Sequence, residues 1–222
     1  MDILKDLNPA QREAVESIEG PVLVLAGPGS GKTRVLTQRV GYLVHVCGIN
    51  PYNIMAVTFT NKAAREMKER LHRLLGERLR RLTIGTFHAI CVRILRREAE
   101  EAGLPKSFVI YDDGDQLGLI RQALKDLDLD DKMYQPRAVQ GAISRAKNEL
   151  VLPENYVAAS YWHEVAGRVY HRYQELLSEN DALDFDDILM FTAHLFAQHR
   201  DVLAKYQRRY IHILVDEFQD TN

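Results

Sequence analysis

Val22-Leu23-Val24-Leu25-Ala26-Gly27-Pro28-Gly29-Ser30-Gly31-Lys32-Thr33 is the stretch that decides the fold. Four apolar residues read as a buried strand and run into a glycine-rich loop. Beyond it Val35, Leu36, Val40, Leu43, Val44 and Cys47 recur at helical spacing. Strand, glycine loop, Lys-Thr and helix together make the layout of a phosphate cradle, although Ala26 stands where the usual pattern has glycine. Gly27, Gly29 and Gly31 let backbone N–H groups approach phosphate oxygens, with Pro28 and Ser30 between them. The helix N-terminus adds its positive dipole end. Lys32 can then reach the β- and γ-phosphates, and the Thr33 hydroxyl can ligate Mg²⁺. The plain alternative is a flexible turn between a strand and a helix.

A second apolar run, Ile213-Leu214-Val215, ends in Asp216-Glu217 and continues as Phe218-Gln219-Asp220-Thr221-Asn222. Two acids after a strand are common at a sheet edge. Paired with the glycine loop they acquire roles: Asp216 holds Mg²⁺, Glu217 orients or deprotonates the attacking water, and Gln219 touches the γ-phosphate. Lys32, Glu217 and Gln219 form the candidate catalytic set.

The 222 residues suffice for one large domain or two modest ones. With 46% apolar and 27% charged residues, the composition is that of a soluble globular chain. No apolar run reaches the roughly 20 residues of a membrane-spanning helix. Met1-Asp2-Ile3-Leu4-Lys5-Asp6 lacks the layout of a signal peptide. Cys47 and Cys91 show no metal-ligand spacing and fit buried thiols in a reducing, cytoplasmic setting. The histidines show no ligand pattern, so Mg²⁺ is the one metal expected. The net charge of −2 hides a local imbalance, because residues 62–81 carry eight basic side chains against three acidic. Such a stripe is either a polyanion surface or a solvated helix face.

Residues 1–94 alternate strand and helix. Asn8 reads as the cap and Pro9 as the first residue of a short helix. Strands are expected at 22–25, 54–59 and 82–86, and a helix at 62–75, which predicts an α/β fold with a parallel sheet covered by helices on both faces. From about 95 to 205 the periodicity is helical. Leu117, Ile120, Leu124 and Leu127 make one stripe, and Val139, Ile143 and Ala146 follow Pro136. A long helix is expected over 154–178, with Val157 on its inward stripe, and two more over 184–198 and 201–208. Residues 210–215 return to strand. The expected architecture is a P-loop NTPase sheet interrupted by an all-helical inserted subdomain.

Gly29-Ser30-Gly31-Lys32-Thr33 together with the segment from Asp216 to Asn222 resembles the UvrD/Rep/PcrA group of superfamily 1 DNA helicases, whose ATP-binding core is RecA-like. Three further segments match in order. Leu7-Asn8-Pro9-Ala10-Gln11-Arg12-Glu13-Ala14-Val15 looks like the family's adenine-reading motif. Val57-Thr58-Phe59-Thr60-Asn61-Lys62-Ala63-Ala64 and Thr86-Phe87-His88 look like its single-strand-binding motifs. Leu183-Asp184-Phe185-Asp186-Asp187 also matches a family segment.

The resemblance implies ATP and Mg²⁺ as cofactors, and single-stranded DNA and its junctions with duplex as partners. It implies 3′-to-5′ translocation serving repair or replication. Residues 1–94 and 206–222 then correspond to domain 1A and 95–205 to the helical domain 1B, with 2A and 2B absent. In the family, motifs after the final carboxylate segment complete 1A, and arginines come from 2A, so this chain alone is expected to hydrolyse ATP very slowly and not to unwind. Several residues keep two readings. Gln11 either contacts the base or completes a capping box with Asn8. Phe59 either stacks a nucleobase or packs in the core. His88 contacts DNA or satisfies a helix start. Arg34 reaches the adenine or lies on a helix surface. Arg145 and Lys147 are backbone-contact candidates or part of a solvated face. The alternatives at the level of function are a DNA-binding module with an idle ATP site, a recombination helicase–nuclease subunit, or a small P-loop kinase.

Overall fold

The computed structural model describes residues 3–221; Met1, Asp2 and Asn222, the last residue of the carboxylate segment, lie outside the described residues. The chain divides into two compact units, Met1–Ile90 with Ala204–Asn222, and Cys91–Leu203.

The first unit is α/β. Helix α1 (Pro9–Glu16) begins at a full capping box: Asn8 Oδ1 accepts from the Gln11 N–H at 2.9 Å, and Gln11 Oε1 accepts from the Asn8 N–H at 3.1 Å. Then follow α2 (Lys32–His45), β1 (Ile54–Thr58), α3 (Asn61–Leu75), a 3-10 turn over Gly76–Arg81, and β2 (Thr83–Thr86). Within α4 (Phe87–Arg97) the chain leaves this unit. It re-enters within α9 (Arg200–Arg209) and ends on β5 (His212–Val215).

These strands form a parallel sheet in the order β2-β1-β5. Its register sets Ala56 beside Ile84 and Leu214, and these pack with Ile54 against Val40, Leu43, Met67 and Leu71 of α2 and α3. Cover on the opposite face is incomplete: Val57 is buried, yet Ile213 is 57% exposed.

Residues 22–25 are a correction to the sequence reading. They form no strand, and Leu23 and Leu25 are 67% and 86% exposed. An apolar run becomes a parallel strand only when a neighbour offers an open ladder and both faces are covered. Here β5 is an edge strand and the run stays outside the sheet.

The second unit is mainly helical, built from α5 (Asp113–Asp126), α6 (Pro136–Asn148), α7 (Tyr161–Glu179) and α8 (Phe185–Gln198). It is not all-helical. Strands β3 (Val109–Ile110) and β4 (Ala182–Leu183) pair in parallel. Ser160 caps α7, so the helix starts later than periodicity suggested. Val157, expected on its inward stripe, is 88% exposed. A core of Leu124, Val139, Ile143, Val169, Tyr173 and Leu177 joins α5, α6 and α7.

Inside this unit lies a buried charge cluster. Lys147 Nζ is 2.7 Å from both Asp184 Oδ2 and Asp187 Oδ1, with all three side chains at most 3% exposed. The Tyr173 hydroxyl donates to Asp184 Oδ2 at 2.8 Å, and Gln174 Nε2 lies 3.3 Å from Asp187. Both readings of Lys147 are thereby overturned: it neither faces solvent nor reaches a DNA backbone. Its neighbour Arg145 is exposed. Burial works against the Lys147 charge, but the two carboxylates outweigh it and hold the ammonium above its ordinary range. Burial, reinforced by Asp184, pushes the Asp187 carboxyl up to about 6.

Among the described residues no helix is long and apolar enough to cross a membrane. Cys91 is partly exposed on α4, its thiol pushed up by burial, and Cys47 lies just past α2.

Candidate nucleotide and nucleic-acid site

Two loops meet at the C-terminal ends of the strands. The glycine loop folds on itself, with the Ser30 hydroxyl donating to Gly27 O at 2.6 Å and the Ser30 N–H to the same carbonyl at 3.3 Å. Gly31 caps α2 at a φ of 84°, a left-handed conformation that a side chain resists, and a Cβ there would press Gln11 Nε2 at 3.3 Å. The Lys32 ammonium reaches back to the carbonyls of Ala26 and Gly27, at 3.2 and 3.5 Å. Its current partners are therefore neutral oxygens, which an anionic phosphate would outcompete. Arg34 is exposed on the first turn of α2.

The carboxylate loop continues the sheet by one residue. The Asp216 N–H donates to Val57 O at 2.9 Å, and its side chain is only 6% exposed. The Thr33 hydroxyl donates to Asp216 Oδ2 at 3.3 Å. A hydroxyl and a carboxylate converging beside the glycine loop are hard oxygen donors of the kind that Mg²⁺ selects. Glu217 follows with φ 53° and ψ 48°, left-handed for a non-glycine residue. That conformation costs roughly 1–2 kcal/mol and turns the Glu217 side chain off the strand direction. Gln219 Nε2 donates to Glu217 Oε2 at 2.5 Å, so two of the candidate catalytic side chains are already coupled.

Gln11 makes two kinds of contact. Besides completing the capping box, its Nε2 donates to Ser30 O at 2.9 Å and ties α1 to the glycine loop. Spacing alone set the cap against a site role, and the geometry allows both.

The remaining candidates cluster at the same strand ends. Phe59 and Phe87, following β1 and opening α4, stand 5.3 Å apart by ring centroid at an interplanar angle of 58°. Thr60 Oγ1 caps α3 by accepting from the Ala63 N–H at 3.1 Å, and Asn61 and Lys62 are exposed on that helix's first turn. Thr86 is buried and its Oγ1 accepts from the Ala89 N–H at 3.2 Å, a helix-starting role. His88 is half-buried beside it. The pairing of Phe59 with Phe87 joins two motifs that the sequence keeps apart, and parallel pairing of Thr58 with Thr86 is what brings them level.

This geometry can be set against known proteins. The UvrD/REP helicase N-terminal domain matches residues 7–222. The chain belongs to that family. ATP-dependent DNA helicase PcrA of Bacillus subtilis (strain 168) is 50% identical over 222 residues, covering 99% of this chain and 30% of the relative. The PcrA proteins of Staphylococcus aureus (strain Mu50 / ATCC 700699) and of Staphylococcus epidermidis (strain RP62A) are each 48% identical over the same span. This helicase N-terminal domain thus spans 30% of the length of these relatives.

Proposed function

We propose that this chain is the ATP- and single-stranded-DNA-binding part of a 3′-to-5′ DNA helicase acting in repair or replication in the cytoplasm. Residues 1–94 with 206–222 serve as domain 1A and residues 95–205 as the inserted domain 1B. The observation that carries this reading is the Thr33–Asp216 contact, which brings a phosphate loop and a carboxylate pair to one point beside the Phe59–Phe87 pair.

In this reading residues 26–34 cradle ATP, and Gln11 contacts its base while tethering the loop. Thr33 and Asp216 hold Mg²⁺, which neutralises phosphate charge when bound. Glu217 positions the attacking water. Gln219, hydrogen-bonded to Glu217, senses the γ-phosphate and passes its loss towards the DNA side. Phe59 and Phe87 stack bases, with Thr60, Asn61, Lys62, Thr86 and His88 around them.

Arginines delivered from a second domain are worth about 10³–10⁵ in phosphoryl transfer, and this chain, residues 1–222, spans only 30% of the length of the PcrA relatives. On its own it is therefore expected to bind Mg²⁺–ATP weakly, to turn it over very slowly, and not to unwind duplex at a junction. Titration with a fluorescent ATP analogue and with a labelled single strand, followed by an ATPase assay with and without DNA, tests this. Binding of both ligands that Lys32→Ala and Phe59→Ala respectively weaken is the expected result. Absence of either binding, or rapid DNA-stimulated turnover by the isolated chain, would overturn it.

A further inference from the structure

The basic stripe on and after α3 extends well beyond the strand ends where Phe59 and Phe87 meet. Helix α3 starts at Asn61, just past the C-terminal end of β1, and runs 15 residues. At 1.5 Å per residue its far end lies about 22 Å away, at the opposite edge of the sheet. The 3-10 turn Gly76–Arg81 follows there, before Thr83 pairs with Met55 near the start of β1. Arg73, Arg78 and Arg81 are exposed on this end, and none of them forms an ion pair among the described residues. Arg80 is paired with Glu77 at 3.0 Å, both side chains more than three-quarters exposed.

Three unpaired guanidinium groups on one short segment match a repeated phosphodiester charge, which each can grip through two N–H donors. What the surface lacks narrows the partner further. No large apolar side chain between Asn61 and Arg81 is exposed, so it offers a protein partner no anchor to bury. No Phe, Tyr or Trp stands in that span, so it has nothing on which to stack unpaired bases. A duplex, with its bases stacked inside and its phosphates outside, is the polyanion that charge alone can hold.

We propose that Arg73, Arg78 and Arg81 form a second nucleic-acid surface that binds the phosphate backbone of duplex DNA, apart from the single-strand site at the opposite strand ends. This surface rests on the DNA-binding reading above for its class of polymer. The test is salt-dependent binding of a blunt-ended duplex and, separately, of a short single strand, to the wild-type chain, to R73A/R78A/R81A and to R73K/R78K/R81K. Loss of three phosphate contacts lowers the duplex log–log slope by about 2.7, so between 50 and 200 mM salt the wild type loses about 40-fold more affinity than the alanine variant. The lysine variant keeps the wild-type slope, and the short single strand binds all three proteins alike. Equal duplex slopes for wild type and alanine variant, or no duplex binding by a wild type that holds the single strand, would refute the surface. Failure of the short single strand to bind the wild type would instead count against the reading under which Phe59 and Phe87 act.

Discussion

The Thr33 hydroxyl donates to Asp216 Oδ2 across 3.3 Å, joining two loops that lie 183 residues apart in the chain. The contact exists because α2 starts at the glycine loop while β5 runs parallel to β1, so both loops arrive at the same sheet edge. A hydroxyl and a buried carboxylate held together would need little reordering to serve as a pair of oxygen ligands for an entering cation.

Asp216→Asn keeps the shape and an oxygen that can accept from Thr33 but removes the negative charge. Nucleotide affinity in the presence of Mg²⁺ is expected to fall about tenfold or more, close to 1.4 kcal/mol per decade, while affinity in EDTA changes little. Parallel titrations of a fluorescent ATP analogue with and without Mg²⁺ check this. Equal losses in both would remove the metal role from Asp216.

Phe59→Ala is expected to cost about 1–3 kcal/mol in single-strand affinity while leaving the salt slope unchanged, because stacking involves no counterion release. Because the two rings touch, Phe59→Ala and Phe87→Ala should be non-additive when combined. Anisotropy titrations at several salt concentrations report both quantities.

Lys147→Met strips the cation from two buried carboxylates and is expected to destabilise the second unit by about 3–5 kcal/mol. Adding Asp184→Asn and Asp187→Asn to it should recover part of the loss, since the uncompensated charge then disappears. Urea unfolding of the three proteins decides the matter. A Lys147→Met chain as stable as wild type would show that the cluster is energetically idle.

The same cluster makes stability depend on pH in an unusual direction. Asp187 sits at about 6 in the folded chain, above its ordinary 3.8, so the folded state binds this proton more tightly than the unfolded one. The stabilisation is fully present below 3.8 and is lost as pH rises through about 6. Asp187→Asn cannot titrate. The stability difference between wild type and variant should therefore shift in favour of the variant as pH rises from 4.5 to 7, and a difference that stays flat would contradict it.

Much of the first unit was readable because its signals are local. Asn8-Pro9 with Gln11 spells a capping box, and the glycines mark the turn before α2. Alternation of strand and helix implied a parallel sheet. The failures share a cause. Residues 22–25 look like a strand by composition, yet a strand exists only where a partner ladder is open to it. Lys147 looked like a surface residue by type. Its place four residues after Ile143 was the available signal that it shares the inward face of α6, and the Asp184-x-x-Asp187 spacing marked the cap that would meet it.

The sequence by itself determined the local chemistry: where chain reversals occur, which helices are capped, and which loops carry groups able to hold phosphate. Tertiary structure decided the pairings. It placed Asp216 against Thr33, Phe59 against Phe87, and Lys147 between Asp184 and Asp187. The physical reason is that such contacts depend on strand register and helix docking, which are settled by the packing of distant residues and leave no periodic trace in the segments they join.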